Sequence, residues 1–240
     1  MSSYRVKLKA REEIAIGTMA FRFEKPEGFV YRAGQWVEYT LIDPPETDDE
    51  GNTREFSLAS APYEADLMLA TRMRDTAFKR VLKIVPLGAE LTISDAGGSF
   101  TLHNNDTIPA VFLTGGIGVS PVRGIVLQSL HDQVNHQIFV FDSNKTPEDA
   151  AFLGELMRAC EKKPNYTFVS TMTEMEKSSQ EWHGEQGVIT KLMLSKYIKD
   201  LSLPIYYIVG PKGLVTALRK TLRESGVNDA NVRAEEFSGY

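Results

Sequence analysis

Two kinds of hydrophobic pattern divide the chain. Up to about residue 102, apolar and β-branched residues come in short runs at 14–23, 36–42, 54–59, 67–71 and 90–94, each closed by turn residues. That spacing predicts an antiparallel barrel. One stretch breaks the pattern: over 77–85, Phe78, Val81, Leu82 and Val85 recur at helical spacing on a single face. The polar segment His103-Asn104-Asn105-Asp106 then leads into apolar runs at 109–113, 137–141, 166–171, 205–209 and 232–236. These alternate with helical patterns over about 121–131, 148–161, 189–198 and 213–224. Alternation of this kind predicts parallel βαβ units with ligands at the strand C-termini. The expected organisation is therefore two domains, an antiparallel β-barrel over 1–104 and an α/β parallel-sheet domain over 105–240. The most loop-like insertions are 43–51 and 174–187, and no internal repeat is visible.

The junction Thr114-Gly115-Gly116-Ile117-Gly118-Val119-Ser120-Pro121 follows the run 109–113 directly. Its glycines let the backbone turn sharply and approach a ligand closely. A helix beginning there offers unpaired N–H groups and a positive dipole end, which suits a pyrophosphate. Ser120 reads as the N-cap and Pro121 as the first helical residue. Pro121 stands near the place of the third glycine in G-x-G-x-x-G, so the match to the dinucleotide pattern is partial.

Composition narrows the class. With 240 residues, 42% hydrophobic, the chain can bury one large core or two moderate ones. A net charge of −5 with scattered basic residues advertises no nucleic-acid partner. No apolar h-region opens the sequence and no stretch nears eighteen apolar residues, so the expectation is a cytoplasmic protein without membrane insertion. Cys160 is the only cysteine, which rules out an internal disulfide or a Cys₄ iron–sulfur site within this sequence. The four histidines show no metal-ligand spacing, and no metal is expected.

Arg54-Glu55-Phe56-Ser57 sets an arginine, an aromatic and a hydroxyl on one strand, with Arg54 and Phe56 on the same face. A flat ring could lie on Phe56 while the guanidinium holds a phosphate. Together with the glycine junction, this segment resembles the ferredoxin–NADP reductase superfamily, whose flavin motif is R-x-[YF]-S and whose nucleotide motif is a Gly-Gly-x-Gly loop. Gly34-Gln35-Trp36, Gly98-Ser99-Phe100, Gly210-Pro211 and Glu235-Glu236-Phe237 extend the resemblance over the whole chain. It implies a flavin-binding barrel followed by an NAD(P)-binding domain.

Carried over by position, the resemblance implies that Arg54 pairs with the flavin pyrophosphate, Phe56 stacks on the isoalloxazine and Ser57 hydrogen-bonds near flavin N5. Thr71, Arg72 and Met73 would border ring and phosphates, and Thr76 would cap the helix beginning at Ala77. FAD is favoured over FMN. Thr114, Gly115, Gly116, Ile117 and Gly118 would lie under the nicotinamide dinucleotide, with Gly210 and Pro211 in a second loop near the nicotinamide. Many relatives place a cysteine just before that Gly-Pro pair, where this chain has Val209.

The choice of donor turns on Asp142-Ser143-Asn144-Lys145 after the second parallel strand. An acidic residue there suits the ribose hydroxyls of NADH, whereas Ser143 with Lys145 suits the 2′-phosphate of NADPH. The balance favours NADPH, with NADH open. At the C-terminus the resemblance assigns Glu235 to proton movement and an aromatic, Phe237 or Tyr240, to covering the flavin.

The function expected is a flavin-dependent NAD(P)H oxidoreductase. Hydride passes to the flavin, and electrons then leave to a separate acceptor such as ferredoxin, flavodoxin or an oxygenase component. The alternatives are a reductase of free flavin, quinone or another small acceptor, a non-catalytic flavin-binding electron-transfer subunit, and a flavin-free dehydrogenase.

Overall fold

A computed structural model describes residues 3–237, so Tyr240, one of the two candidate aromatic covers, lies outside the described residues. Six antiparallel strands form the first sheet: β1 (Ser3–Ala15), β2 (Thr18–Glu24), β3 (Trp36–Leu41), β4 (Thr53–Ser57), β5 (Asp66–Arg72) and β6 (Glu90–Ser94). Their order is β4-β3-β6-β1-β2-β5. An isolated bridge from Leu58 to Leu69 links the two edge strands and curls the sheet towards closure. The run expected as one strand over 14–23 is instead a hairpin corner, because Gly17 turns the chain at φ 62° between β1 and β2. The long β1 escaped the pattern reading: its inward residues Val6 and Leu8 alternate with Arg5, Lys7 and Lys9, and bulges interrupt its pairing with β2.

Helix α1 (Ala77–Ile84) plugs this barrel. Thr76 caps it by accepting from the Lys79 N–H, and Phe78, Val81 and Leu82 enter the core formed by Phe21, Phe23, Val37 and Tyr39. Emptying such a position costs about 3–5 kcal/mol, so Phe78→Ala would threaten the wall of the site that α1 supports.

The second sheet is parallel and follows the order β10-β9-β8-β7-β11-β12. Its strands are β7 (Ala110–Gly115), β8 (Ile138–Asn144), β9 (Tyr166–Met172), β10 (Glu185–Gln186), β11 (Ile205–Pro211) and β12 (Val232–Phe237). Helices α2 (Val119–His131), α3 (Leu153–Cys160), α4 (Lys191–Tyr197) and α5 (Lys212–Glu224) cover it. Strand order reverses direction between β7 and β11, which makes their C-terminal ends the expected ligand crevice. The chain from β7 enters α2 through a 3₁₀ turn, Gly116–Gly118. Ser120 is consequently not the N-cap: α2 begins at Val119, and the Ser120 hydroxyl is buried without a partner.

One apolar core joins the two halves. Ala59, Met68, Ala70 and Phe100 from the first pack with Val119, Val122, Ile125 and Val126 of α2. The 103–108 connection is anchored as well, since the buried His103 shares a 2.9 Å hydrogen bond with the Tyr207 hydroxyl.

Candidate functional site

Four strands, the first turn of α1 and the start of α2 meet at a cleft of ≈ 740 Å³ including its open mouth. Phe56 and Ser57 come from β4, Thr71 and Arg72 from β5, Ile117 from the glycine turn, and Glu235 and Phe237 from β12. The structure therefore brings these seven sequence-selected residues to one place. Phe56 is half-buried and braced by Phe78 at 5.7 Å and Tyr39 at 6.1 Å between ring centroids. Trp36 lines the same cleft, and its indole lies so close to Gly97 and Gly98 that a Cβ on either would come within 2.8 Å of it.

A second groove lies at the parallel strand ends and is lined by Gly115, Gly116, Ser143, Lys145, Pro211 and Leu214. Arg72 and Arg74 border both spaces and give them a shared cationic wall. Arg72 also faces Asp149 of the second half at 3.7 Å. Gly118 permits the tight turn: an added Cβ would stand 2.5 Å from the Val209 carbonyl oxygen and 2.9 Å from Gly210 Cα. Thr114, Gly118 and Gly210 thus shape the crevice without lining it. Met73 packs against the barrel core, and Thr76 acts at the cap of α1.

Arg54 stands apart from both grooves. Its Nη2 donates to Asp48 at 2.6 Å, its Nε pairs with Glu50 at 3.0 Å, and its Nη1 donates to the carbonyls of Glu50, Gly51 and Thr53. Asp48 also faces the N–H of Ala77 at the start of α1, and the Arg54 hydrogen bond holds its carboxyl below the usual range. A carboxylate from the 43–51 loop thus occupies the guanidinium and helix terminus that suit a phosphate.

Cationic side chains crowd the start of α1. Burial, then the nearby charges of Arg74 and Arg54, pull the Lys79 ammonium down to about 8. Its Nζ donates to the Arg72 carbonyl at 2.9 Å. Across the cleft, burial and then the Glu55 carboxylate push Glu235 up to about 7. Arg74, Lys79 and Glu55 were not singled out in the sequence. Their signal was the cluster of cations flanking the Thr76 cap and the acidic x-position of the Arg54 motif.

At the end of β8 the acidic residue is out of play. Asp142 is fully buried and accepts from Asn144 Nδ2 at 2.8 Å, so it does not reach the groove. Lys145 does, and its Nζ lies 3.6 Å from Glu174, which also pairs with Lys177. The Glu174 N–H donates to the Lys145 carbonyl at 2.8 Å, fixing the acid beside the lysine. Glu174 is a further residue that the sequence reading missed, because only the β8–β9 pairing brings the two loops together.

Residues 112–220 match the family model of the oxidoreductase NAD-binding domain. Among relatives, the glycine betaine monooxygenase reductase subunit of Chromohalobacter salexigens is 23% identical over 92% of this chain and 60% of its own length. A component of the Na(+)-translocating NADH-quinone reductase of Idiomarina loihiensis is 24% identical over 86% of this chain and 54% of its own. The chain thus spans little more than half of these relatives. A ferredoxin NADP+ reductase from Neisseria gonorrhoeae, solved with bound FAD and NADP, superposes with a TM-score of 0.78 at 18% identity, covering 98% of each chain. The barrel followed by a parallel α/β layer is the same two-domain fold.

Proposed function

We propose that the chain is a flavin-dependent NAD(P)H oxidoreductase of the ferredoxin–NADP reductase superfamily that delivers electrons to a separate acceptor, a reading supported by its two-domain fold and by the match of residues 112–220 to the oxidoreductase NAD-binding domain. The observation that carries this reading is that Arg72 and Arg74 line both grooves, so that a flavin in one and a nicotinamide nucleotide in the other would be held side by side. The residues fit a flavin dinucleotide. Phe56 offers an aromatic wall, Ser57 a hydroxyl at its edge, and Arg72, Arg74, Lys79 and the capped start of α1 supply a cradle for the diphosphate. Arg54 would join that cradle only on release from Asp48 and Glu50. FAD, when bound, supplies hydride acceptance and single-electron release.

The chain's own groups do the rest. The turn Gly115 to Gly118 admits the dinucleotide backbone, with Gly210 and Pro211 beside the nicotinamide. Glu235, held partly protonated near neutrality, offers a proton at the cleft mouth. Phe237 lines the same cleft and would cover the flavin ring at the position the nicotinamide must reach. We assign NADH as the donor, because the Glu174 carboxylate stands 3.6 Å from the Lys145 ammonium and would oppose a 2′-phosphate there.

The acceptor lies outside these 240 residues, whose single cysteine cannot supply a Cys₄ iron–sulfur site. An oxygenase component, ferredoxin or flavodoxin fits this role, and the first of these is supported by the monooxygenase reductase among the relatives. Anaerobic mixing of the purified protein with NADH and NADPH tests the proposal. Bleaching of the bound flavin is expected, faster with NADH, and a protein that neither retains flavin nor is reduced would overturn it.

A further inference from the structure

Arg123 lies in α2, five residues past Gly118, and is 2% exposed. Every one of its guanidinium N–H groups is donated. Nη1 reaches the Ala59 carbonyl and Glu64 Oε2, each at 2.8 Å, and Nη2 reaches Glu64 Oε1 at 3.1 Å, all in the first half of the chain. Nε and Nη2 also meet the two oxygens of Glu155 on α3, both at 2.7 Å. Burial pulls its pKa down, but its hydrogen bonds to both carboxylates more than offset this and hold it charged. A buried cation so completely paired has one low-energy geometry, since moving any partner leaves a desolvated charge without compensation.

The neighbouring residue completes the contact. A Cβ at Gly124 would stand 2.9 Å from the Ser60 carbonyl oxygen and 3.3 Å from that of Leu58, so the backbone of α2 lies directly on segment 58–60. That segment continues β4, with Ala59 two residues past Ser57. Helix α2, for its part, continues the glycine turn. Arg123 and Gly124 therefore bridge the shortest covalent path on each side, from the wall assigned to the flavin to the loop assigned to the nicotinamide nucleotide.

We propose that Arg123 is a positioning residue for hydride transfer, holding the nucleotide loop at a fixed distance from the Phe56–Ser57 strand. The inference rests on the reading of the two grooves given above. Hydride transfer needs its reacting atoms about 3–3.5 Å apart, and a displacement of about 1 Å costs on the order of a hundredfold in rate. A cation whose role was only to support the fold would instead affect melting and leave the rate in the assembled protein alone.

The test uses the flavin-loaded protein, with flavin kept in excess, and compares Arg123→Lys, Arg123→Met, Glu64→Gln and Gly124→Ala with the parent. Anaerobic stopped-flow mixing with NADH should show the limiting rate of flavin bleaching falling about 10–100-fold in Arg123→Met, with apparent Kd changing less than about threefold and Arg123→Lys recovering part of the loss. Glu64→Gln and Gly124→Ala carry the same test if Arg123→Met does not fold, and each should slow bleaching about 5–10-fold. An independent readout needs no flavin: spin labels placed through Val30→Cys and Leu192→Cys, exposed positions on opposite halves, should give a broader distance distribution in the variants. Unchanged limiting rates, or slowed rates with an unchanged distance distribution, overturn the positioning role. A parent protein that neither nucleotide reduces would sink the proposed function instead.

Discussion

Arg54 donates to Asp48 at 2.6 Å, and the acid that receives this bond also faces the first N–H of α1. The chain thus carries its own anion into the place proposed for a flavin diphosphate, and on that proposal the two anions would compete for one guanidinium. Removing the internal competitor should tighten flavin binding. Titration of the apoprotein with FAD, followed by quenching of flavin fluorescence, should show Asp48→Asn binding about 3–10-fold more tightly. Arg54→Ala should bind about tenfold or more weakly, as expected for loss of a charged hydrogen bond. Equal affinity in both variants would remove Arg54 from the diphosphate site.

Lys79 makes the same site sensitive to pH. In the free protein its ammonium titrates near 8, because it is buried beside Arg74 and Arg54. A bound diphosphate supplies the missing counter-charge and raises that value towards the ordinary lysine range. Between the two values binding takes up a proton, so FAD affinity should fall as pH rises above about 8 and stay flat below about 7. Lys79→Met should bind more weakly at pH 7 and lose this slope. Isothermal titration in buffers of different ionisation enthalpy at pH 8.5 would measure the proton uptake directly.

The proposed preference for NADH rests on Glu174. Its carboxyl is held low by the Lys177 hydrogen bond and then by the charge of Lys145, so it is an anion throughout the neutral range. Placed beside Lys145, it opposes a second anion. Glu174→Gln should raise the NADPH-to-NADH ratio of kcat/KM about tenfold, whereas Lys145→Ala should lower the same ratio. A ratio unmoved by Glu174→Gln would return the choice to Ser143 and Lys145 alone.

These residues also mark where sequence reasoning ran out. Short-period runs, one amphipathic helix and the alternation after residue 109 located nearly every element, because strand and helix periods are local properties. The convergence of Phe56, Ser57, Thr71, Ile117 and Glu235 was legible only through motif order. Glu174 beside Lys145, and Asp48 on Arg54, depend on which loops the sheet order brings together, and no local period encodes that. Ser120 misled for a related reason: a glycine turn wound into 3₁₀ geometry moved the helix start ahead of the residue with the best capping side chain.

Asp142 offers a stability test independent of any cofactor. Burial pushes its carboxyl up to about 7, against the lowering effect of the Asn144 amide. Its folded-state pKa lies above the unfolded value, so the native state holds the extra proton and stability falls as pH rises from about 4 towards 7. Asp142→Asn should remove that loss. Thermal melts should show the variant more stable than the parent at pH 8, by on the order of 1–3 kcal/mol, and nearly equal at pH 4.5.

Glu235 and Glu55 line one cleft from opposite halves of the chain, and together with burial this neighbour lifts Glu235 to about 7. The protonated form can donate at the cleft mouth below that pH and loses its proton above it. Electron delivery to the acceptor should therefore decline as pH rises through about 7. Glu235→Gln, which remains a donor but cannot titrate or transfer a proton, should flatten the profile and lower its acid plateau by about 10–100-fold, the usual range for losing a general acid or base. Glu55→Gln removes the neighbouring charge and should move the midpoint to lower pH while keeping its shape. Arg72, Arg74 and Lys79 share the cleft, so the profile must be measured at fixed ionic strength to separate the carboxyl pair from the cationic wall. A midpoint that stays in place in both variants would assign the titration to another group.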